Sequence, residues 1–429
     1  MLLLGVILFL VAVLLGLPIS FALLMASAPT FLTGDYLPTS IAVQKMVQVT
    51  QSYPLMAIPF FVVAGNIMAA SGIARRLVDF SRVLVGWMVG GLAQVSIILS
   101  LLMGGIAGSA VADTAMQSRL LGGPMIAKGY SKGFTAGVIA YSSIITATIP
   151  PSIGLIVYGF IANQSVGKLL LGGIIPGLIL TAALMSYTYF AARHYGYGAD
   201  EGATVPTRGE VYRSGKAAFW ALMFPIILLV GFRFGFFTAT EAGAFVIVYA
   251  LVVGAFIYRD LTWRKLWDAV QQSLNDIGMI MLIIIMAAVL GHVIVLEQAP
   301  TKLAAGVAAI SDNPTVTLLL ILGFLIIAGT IMEATVNVLL LTPLFMPILQ
   351  AQGLDPIHFG VLMVTIITMG GNTPPIGVGM FTVCGMLDVS LRDYIRGSTP
   401  FLLVMLATFL LLALVPGLVT WLPNQVMGH

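Results

Sequence analysis

Long apolar runs follow one another along almost the whole chain, and no other feature restricts its fold as strongly. They lie at 1–27, 54–72, 134–160, 169–192, 217–232, 240–258, 274–296, 357–385 and 399–421. A helix needs about 20 apolar residues to cross roughly 30 Å of hydrocarbon. Only 8% of the residues are charged, against about 25% in soluble domains. The runs therefore predict an all-α polytopic membrane protein. Because the first run has neither a basic beginning nor a cleavage site, it predicts a retained helix and not a signal peptide.

Two further apolar stretches, 87–127 and 315–350, are interrupted near their centres by small and polar residues. The first contains GGIAGSAVADTAMQS at 104–118, and the second contains GTIMEATVN at 329–337. Neither is uniform enough for an ordinary span. We therefore predict two re-entrant helical hairpins, each of which dips part-way into the membrane and returns to the side it came from.

Basic residues are distributed unevenly among the predicted loops. If the N-terminus is cytoplasmic, four of them fall outside, at positions 45, 168, 233 and 302, and Arg119 lies within the first hairpin. Fourteen fall inside: Arg75, Arg76, Arg82, Lys128, Lys132, Arg193, Arg208, Arg213, Lys216, Arg259, Arg264, Lys265, Arg392 and Arg396. Since cytoplasmic loops carry the excess of Lys and Arg, this pattern predicts a cytoplasmic N-terminus and a periplasmic C-terminus. The polar stretch 194–216 is then a cytoplasmic linker.

The order of span, charged amphipathic stretch, hairpin, broken span and final span occurs twice, starting near Tyr53 and near Asp276. One constant offset aligns Gly129 with Gly353, Pro150-Pro151 with Pro374-Pro375, Gly173 with Gly397, and Pro176 with Pro400. Inverted repeats with discontinuous helices are typical of secondary transporters. The stretches 73–82 and 262–272, which alternate charged and apolar residues, are expected to lie in the interface plane as two arms.

The repeat divides the chain into alternating scaffold and transport segments. Residues 1–86 are expected to form scaffold helices and the first arm, and 161–314 further scaffold helices, the linker and the second arm. Residues 87–160 and 315–386 would each supply one hairpin and one broken helix to a transport domain. Residues 387–429 would form a C-terminal scaffold helix.

Double prolines interrupt two of the predicted spans, in TIPPSIG at 148–154 and in GGNTPPIGVG at 370–379. Proline removes a backbone donor and blocks the preceding turn, so each helix must break there. The freed carbonyls are tolerated in a membrane only where they face protein, ions or a water-filled cavity. Together with the side chains of Ser152, Asn372 and Thr373, these oxygens suit a sodium ion. The alternative is a kink that only improves helix packing, and two matched copies favour the functional interpretation.

The hairpin tips carry the other candidate residues. Small residues at 108–110 allow backbones to approach closely, and Glu333, Thr335 and Asn337 occupy the corresponding part of the second tip. Asp113 and Glu333 are intramembrane carboxylates, which are costly and usually functional. Each either balances the charge of a cation or is held by a neighbouring hydroxyl or by Arg119. Tight helix packing is the alternative for the tips. Glu241 is expected at a helix start behind Thr240 as N-cap.

Few residues suit enzyme chemistry. The single cysteine, Cys384, excludes an internal disulfide, and the four histidines, His194, His292, His358 and His429, show no metal-ligand spacing. No nucleophile stands beside a base. An intramembrane enzyme is therefore the disfavoured alternative, and we expect neither an organic cofactor nor a nucleic-acid partner.

Several motifs in this order resemble one family over nearly the whole chain. They are PFFVVAGNIM at 59–68, GIA at 72–74, GGLA at 90–93, GSAVAD at 108–113, GGPMIAKGY at 122–130, IPPSI at 149–153, GIIPG at 173–177 and TATEA at 238–242. The chain resembles the large membrane subunit of TRAP transporters, the tripartite systems that import organic acids into bacteria. It departs from many relatives at Ala239, where they carry proline.

The resemblance implies an elevator-type fold, similar to the ion transporter superfamily, in the bacterial inner membrane. It implies uptake coupled to Na+ and two sodium sites. The first would use Gly108, Ser109, Ala110, Thr148, Ile149, Pro150 and Ser152. The second would use Glu333, Thr335, Asn337, Asn372, Thr373 and Pro374. The carboxylated solute would contact Ser109, Asp113, Thr335 and Asn337.

The resemblance also implies partners besides the lipid bilayer, namely a small four-helix membrane subunit and a periplasmic substrate-binding protein. The solute would be a C4-dicarboxylate, sialic acid or another sugar acid, and the sequence does not choose among them. A carrier of the same superfamily that works without a binding protein is the main alternative. A channel fits less well, because paired inverted hairpins suit alternating access.

Overall fold

The computed structural model describes residues 2–32, 38–198, 205–299, 302–303, 306 and 313–428, and within these ranges all regular structure is helical. The first half contains α1 Leu2–Leu14, α2 Ile19–Leu32, α3 Thr39–Thr50, α4 Ala57–Ala70, α5 Ile73–Val85, α6 Gly91–Ala107, α7 Ala110–Gln117, α8 Gly123–Ala127, α9 Lys132–Thr148, α10 Ile153–Ile161 and α11 Val166–Tyr195. The second half contains α12 Arg208–Arg233, α13 Ala239–Val252, α14 Trp263–Leu296, α15 Pro314–Ile331, α16 Ala334–Ala351, α17 Pro356–Gly370, α18 Val378–Leu387, α19 Leu391–Leu414 and α20 Gly417–Met427.

Seven of the described helices are long and apolar enough to cross a membrane, or nine if two bent pairs are each counted as one span. The bent pairs are α4 with α5, at 66°, and α9 with α10, at 46°. The predicted all-α polytopic architecture is therefore confirmed. The linker expected at 194–216 is described only in part, because residues 199–204 lie outside the described ranges.

The N-terminal apolar run does not form the single span expected at 1–27. It folds into α1, of 13 residues, and α2, of 14 residues. Gly16 between them has a φ of +76°, which favours glycine, and Pro18 follows. Gly5 lies directly against the backbone of Ala26, so the two helices pack antiparallel. Each is about 20 Å long, shorter than the hydrocarbon layer, and hydropathy alone did not reveal the turn.

The two halves repeat the same series of helices with the predicted offset. That offset takes the starts of α6, α7, α9 and α10, at residues 91, 110, 132 and 153, to residues 315, 334, 356 and 377. The corresponding helices α15, α16, α17 and α18 start at residues 314, 334, 356 and 378. The turn glycines agree as well, since Gly129 has a φ of +86° and Gly353 a φ of +64°. The repeat that a few matched glycines and prolines indicated thus extends to whole helices.

Both predicted hairpins break at their predicted tips. The chain leaves the helical conformation at Gly108–Ser109 in the first and at Met332–Glu333 in the second. In the first, Ser100 Oγ donates to Asp113 Oδ2 at 2.7 Å and Ser96 Oγ to Gln117 Oε1 at 2.5 Å. These pairs are matched about the tip, so α6 and α7 run antiparallel. Both double prolines lie in breaks, between α9 and α10 and between α17 and α18.

The two expected arms differ from each other. The first is a separate helix, α5, which turns away from α4 at Gly72. Arg76 of this arm donates to Asp260 Oδ2 at 2.5 Å and lies over the ring of Tyr258 at 3.9 Å. The Arg76 guanidinium holds the pKa of Asp260 below its usual range. The second stretch, 262–272, is not a separate arm, because it forms the first turns of the 34-residue helix α14.

The start of α13 also differs in detail from the expectation. Glu241 lies in its first turn as predicted, but the N-cap is Thr238 and not Thr240. The backbone N–H of Thr238 donates to Glu241 Oε2 at 2.8 Å, and the N–H of Glu241 donates to Thr238 Oγ1 at 3.3 Å. This reciprocal pair is a capping box, whose Thr-x-x-Glu spacing was present in the sequence.

Candidate functional site

All four helix breaks meet at one cavity of about 540 Å³. Its lining includes eight of the predicted site residues: Gly108, Ser109, Ala110, Asp113, Ser152, Glu333, Thr335 and Asn372. Six others are not among the lining residues: Thr148, Ile149, Pro150, Asn337, Thr373 and Pro374. The structure therefore brings together the four segments that carry the predicted site residues.

Carboxyl groups dominate the charge of this cavity. Three acidic residues line it, Asp113, Asp276 and Glu333, and no Lys, Arg or His does among the residues that the structure describes. An anion placed there would meet carboxyl groups and no basic side chain among the described residues. Any favourable field for an anion must come from helix N-termini or from cations that bind with it.

Asp113 is fully buried on the inner side of the first hairpin. Its Oδ2 accepts three hydrogen bonds, from Ser100 Oγ at 2.7 Å, Gln117 Nε2 at 2.8 Å and Thr146 Oγ1 at 2.8 Å. Its Oδ1 has no hydrogen-bond partner. A buried carboxylate oxygen without a donor is costly, so this atom is a good ligand for a cation.

Asn337 occupies the position in the second hairpin that the repeat relates to Asp113. It is also fully buried. Its Nδ2 donates to the carbonyl oxygens of Met332 at 2.9 Å, Ala328 at 3.2 Å and Glu333 at 3.3 Å, which closes the tip. Its Oδ1 has no partner. Equivalent buried positions in the two repeats thus each keep one free oxygen.

The first tip lies against the first broken helix. The N–H of Ile153 donates to the carbonyl oxygen of Gly108 at 3.4 Å, and Ser152 caps α10 by accepting from the N–H of Leu155 at 3.4 Å. Ser109 is the N-cap of α7 but its hydroxyl makes no capping bond. The N-terminus of α7 therefore presents unpaired N–H groups beside the cavity.

The second tip is closed by its own carboxylate. Glu333 caps α16, accepting from the N–H of Thr335 at 2.8 Å and from its Oγ1 at 3.1 Å. At the equivalent position of the first repeat stands Ser109, which makes no such bond. The two tips therefore differ in electrostatic sign, with an open helix N-terminus on one side and a carboxylate on the other.

The two broken helices cross each other at the predicted sodium sites. Asn372 Nδ2 donates to the carbonyl oxygen of Ala140 at 2.8 Å, and the hydroxyls of Tyr141 and Thr373 lie 3.3 Å apart. On the other side of the crossing, Thr148 Oγ1 lies 3.3 Å from Thr365 Oγ1. The repeat relates Thr148 to Asn372 and Tyr141 to Thr365, so the two sides of the crossing use the same or adjacent positions of the two repeats.

Sequence reasoning missed the polar residues that α4 and α14 contribute. Asn66 of α4 and Gln272 and Asp276 of α14 line the cavity. Asn66 Nδ2 donates to Asp276 Oδ2 at 2.9 Å, and Gln272 Nε2 donates to Asp276 Oδ1 at 2.8 Å. A single amide inside the apolar segment 57–70 and a single carboxylate before the apolar run 277–296 were the available signals.

No group of three or more His, Cys, Asp or Glu side chains suited to a metal occurs within the described part of the chain. A cation bound here would need mixed ligands, namely carbonyl, hydroxyl, amide and single carboxylate oxygens. Hard cations accept such all-oxygen sets, and Asp113 and Asn337 each have one side-chain oxygen without a hydrogen-bond partner.

Comparisons with known proteins agree along the chain. A family model described as "Tripartite ATP-independent periplasmic transporter, DctM component" matches residues 6–418. The 2,3-diketo-L-gulonate TRAP transporter large permease YiaN of Escherichia coli is 36% identical, over 94% of each chain. The sialic acid TRAP transporter large permease SiaM of Vibrio cholerae is 35% identical, over 96% of each chain.

A third relative, the C4-dicarboxylate TRAP transporter large permease DctM of Pseudomonas aeruginosa, is 34% identical over 89% of this chain and 88% of its own. Among solved structures, the YdaH transporter of Alcanivorax borkumensis covers 98% of this chain, and the match covers 99% of that one. Its TM-score is 0.62 and its sequence identity 16%, so it shows a shared fold alone.

Proposed function

This chain belongs to the DctM-component family of tripartite ATP-independent periplasmic transporters, and from that premise we propose that it imports a carboxylated organic solute together with sodium ions. Family membership makes it a multi-pass transporter permease and not an enzyme. The observation that carries the proposal is the charge of the cavity, which three acidic and no basic side chains line among the described residues. An organic anion can enter such a site only with compensating cations, because unpaired charge in a low-dielectric site is costly.

The carboxylate of the solute binds at the N-terminus of α7. Its N–H groups and the hydroxyl of Ser109 are free of a capping bond, and a helix N-terminus attracts anions. The N-termini of α10 and α16 are already capped, by Ser152 and Glu333. Thr335, which contacts Glu333, lies on the opposite tip and completes the solute site.

Two sodium ions bind beside the solute, one at each tip. The first lies between the tip at Gly108–Ala110 and the break at Thr148–Ser152, and the second between the tip at Glu333–Asn337 and the break at Asn372–Pro374. The contact of Ile153 with Gly108 supports the first pairing of segments. The common cavity lining of Glu333 and Asn372 supports the second. The free Oδ1 atoms of Asp113 and Asn337 add negative potential at each site.

Transport proceeds by an elevator movement in which the hairpins and broken helices travel past the scaffold. The contacts at the crossing, such as Asn372 with Ala140, support a single moving unit because they join the two halves. The partners are a small four-helix membrane subunit and a periplasmic substrate-binding protein; the word tripartite in the family description supports a system of three components. Relatives named for sialic acid, diketogulonate and C4-dicarboxylates set the solute classes to test.

The complex lies in the bacterial inner membrane with the C-terminus in the periplasm. The excess of basic residues in the loops that contain Arg75, Lys132 and Arg264 supports cytoplasmic positions for those loops. A cytoplasmic N-terminus requires in addition that residues 1–32 cross the membrane once, and the antiparallel packing of α1 against α2 does not support that crossing.

Uptake into proteoliposomes tests the proposal. Liposomes that hold this chain and its small subunit receive labelled organic acids, with and without an inward sodium gradient and with and without the cognate binding protein outside. Uptake that needs both is the expected result. Sodium-driven uptake without the binding protein would instead identify an autonomous carrier, and uptake independent of sodium would overturn both sodium sites.

A further inference from the structure

The scaffold side of the cavity carries one polar cluster, formed by Asn66, Gln272 and Asp276, in an otherwise apolar wall. The remaining scaffold residues that line it are Phe61, Val62, Gly65, Ala69, Met279 and Ile280. Asp276 is held from two sides, by Asn66 at 2.9 Å and Gln272 at 2.8 Å. Asn66 is held in turn by a second bond, from its Nδ2 to Ser273 Oγ at 3.1 Å. The cluster is therefore fixed in position.

The cluster presents mainly acceptors to the cavity. Both amide groups direct their nitrogens to protein acceptors, and Asn66 uses both of its N–H donors in this way. Asn66 Oδ1, Gln272 Oε1 and the remaining lone pairs of Asp276 are left to accept. Such a surface repels a carboxylate and binds groups that carry O–H or N–H.

The repeat does not require these residues. Its offset takes Asn66 to Leu290 in the second half and relates Asp276 to Ser52 in the first. The related positions, Leu290 and Ser52, thus carry neither a carboxylate nor an amide. The repeat therefore does not account for the cluster, and its acceptor atoms that make no bond within the protein are available to a ligand.

We propose that Asn66, Gln272 and Asp276 recognise hydroxyl groups on the solute, so that the permease itself selects polyhydroxylated acids, of the sugar-acid class, over unsubstituted dicarboxylates. The assignment rests on the proposed function, since it places the solute carboxylate at the N-terminus of α7. The hydroxylated end then faces the scaffold, where Asp276 accepts from it. A dicarboxylate would instead bring its second carboxylate to Asp276, and like charges repel.

Equilibrium binding to the purified complex with its small subunit tests this without the selectivity of a binding protein. The probes are labelled gluconate, glucuronate and N-acetylneuraminate as hydroxylated acids, and succinate and glutarate as unsubstituted ones, all at saturating sodium. The variants are Asp276→Asn, Asn66→Ala and, as matched control on the same helix, Asp268→Asn, which is exposed and outside the cavity. Sodium half-saturation is measured alongside, and size-exclusion elution checks folding.

The expected result is that a hydroxylated probe binds more tightly than both dicarboxylates. Asp276→Asn should raise the Kd of the hydroxylated probe about tenfold, as loss of a charge-assisted hydrogen bond does, and should leave sodium half-saturation unchanged. Asn66→Ala should also raise that Kd. Asp268→Asn should have no effect. Preference for succinate, or equal weakening of all probes by Asp276→Asn, would overturn the hydroxyl assignment and leave the proposed function standing. A shift in sodium half-saturation alone would make the cluster a cation site and overturn the hydroxyl assignment as well. Failure of every probe to bind in the wild type would defeat the proposed function and this inference with it.

Discussion

Asp113 and Asn337 occupy equivalent positions of the two repeats, and each is fully buried with one side-chain oxygen that has no partner. The rest of their contacts differ completely. Asp113 accepts from three side chains, whereas Asn337 donates to three carbonyl oxygens. A single architecture therefore carries an acidic group in one hairpin and a neutral amide in the other.

Asp113→Asn should weaken sodium binding and leave the fold largely intact. The variant can still accept from Ser100 and Thr146 through one oxygen, but it loses the charge on the free atom. We expect sodium half-saturation to rise about tenfold, since an interaction with a charged group contributes about 1.5–3 kcal/mol. Uptake at graded sodium concentrations measures it. Unchanged half-saturation together with a lower Tm would show that Asp113 is only structural.

Asn337→Asp should destabilise the protein, although an acid occupies the equivalent position. The substitution removes the N–H donors that hold the carbonyl oxygens of Ala328, Met332 and Glu333 and places a negative charge among them. A buried unpaired group costs about 1–3 kcal/mol, and more if charged. Thermal unfolding in detergent measures the loss. Asn275→Asp, at an exposed position of α14, is the control, and an equal change in both variants would contradict the assignment.

Substitution of the two tip residues should affect different properties, transport in the case of Ser109 and stability in the case of Glu333. Ser109→Ala removes no capping bond, so we expect unchanged Tm and a higher KM for the organic acid. Glu333→Ala removes the cap of α16, which typically costs about 0.5–2 kcal/mol, so Tm should fall. Paired measurements of unfolding and uptake separate the two effects. A stability loss in Ser109→Ala that matched the loss in Glu333→Ala would show that the tips are electrostatically alike.

Two glycines of α15 should differ sharply when each is replaced by alanine. A Cβ on Gly329 would lie 3.1 Å from the Cα of Gly370 and would collide with the backbone of Ile367. A Cβ on Gly323 would meet nothing within 4 Å. Overpacking costs about 1–3 kcal/mol, whereas alanine in an open helical site adds helix propensity. We expect Gly329→Ala to lower Tm and to reduce uptake, and Gly323→Ala to retain both; a reversed order would contradict the close contact of α15 with α17.

The first arm should be stabilised by Arg76 and hardly by Arg75. Both contact Asp260, but the Arg75 side chain is 70% exposed and the Arg76 side chain 21%. A double-mutant cycle with alanine should give about 1 kcal/mol for Arg76 with Asp260 and close to zero for Arg75. Because Arg76 lowers the pKa of Asp260, the contribution is present above the unfolded pKa of about 3.9 and disappears as the pH falls through the lower folded value. Coupling that vanished already at neutral pH would refute this.

The sequence was informative where helix-breaking residues and apolar periodicity determine the local structure. It was less informative where tertiary contacts determine it. Double prolines and the small residues at 108–110 located the breaks, because those residue types restrict the backbone directly. The division of residues 1–27 into two helices depends on the packing of Gly5 against Ala26, which no local pattern shows. The Thr-x-x-Glu spacing of Thr238 and Glu241 was present in the sequence. The expected N-cap was nevertheless Thr240, which directly precedes the acid.

The candidate site shows the same limit. Ser109 and Glu333 were found because they lie at visible interruptions. Asn66 and Asp276 were missed because each is a single polar residue beside an apolar helix, and only the packing of α4 against α14 joins them. Which carbonyls and hydroxyls face inward also depends on the crossing of the two broken helices, and the contact between Asn372 and Ala140 spans 232 residues of sequence.

The wall formed by α4 and α14 has a mechanical consequence. Apart from Asn66, Gln272 and Asp276, the side chains that it turns to the cavity are apolar or glycine. In the elevator movement proposed above, helices that move past this wall would break no directional bonds to it except at the polar cluster. The polar cluster would then be the single place along the path where a solute with hydroxyl groups forms hydrogen bonds to this wall and pauses. A carrier that is empty, or that holds a solute without hydroxyl groups, would not pause there.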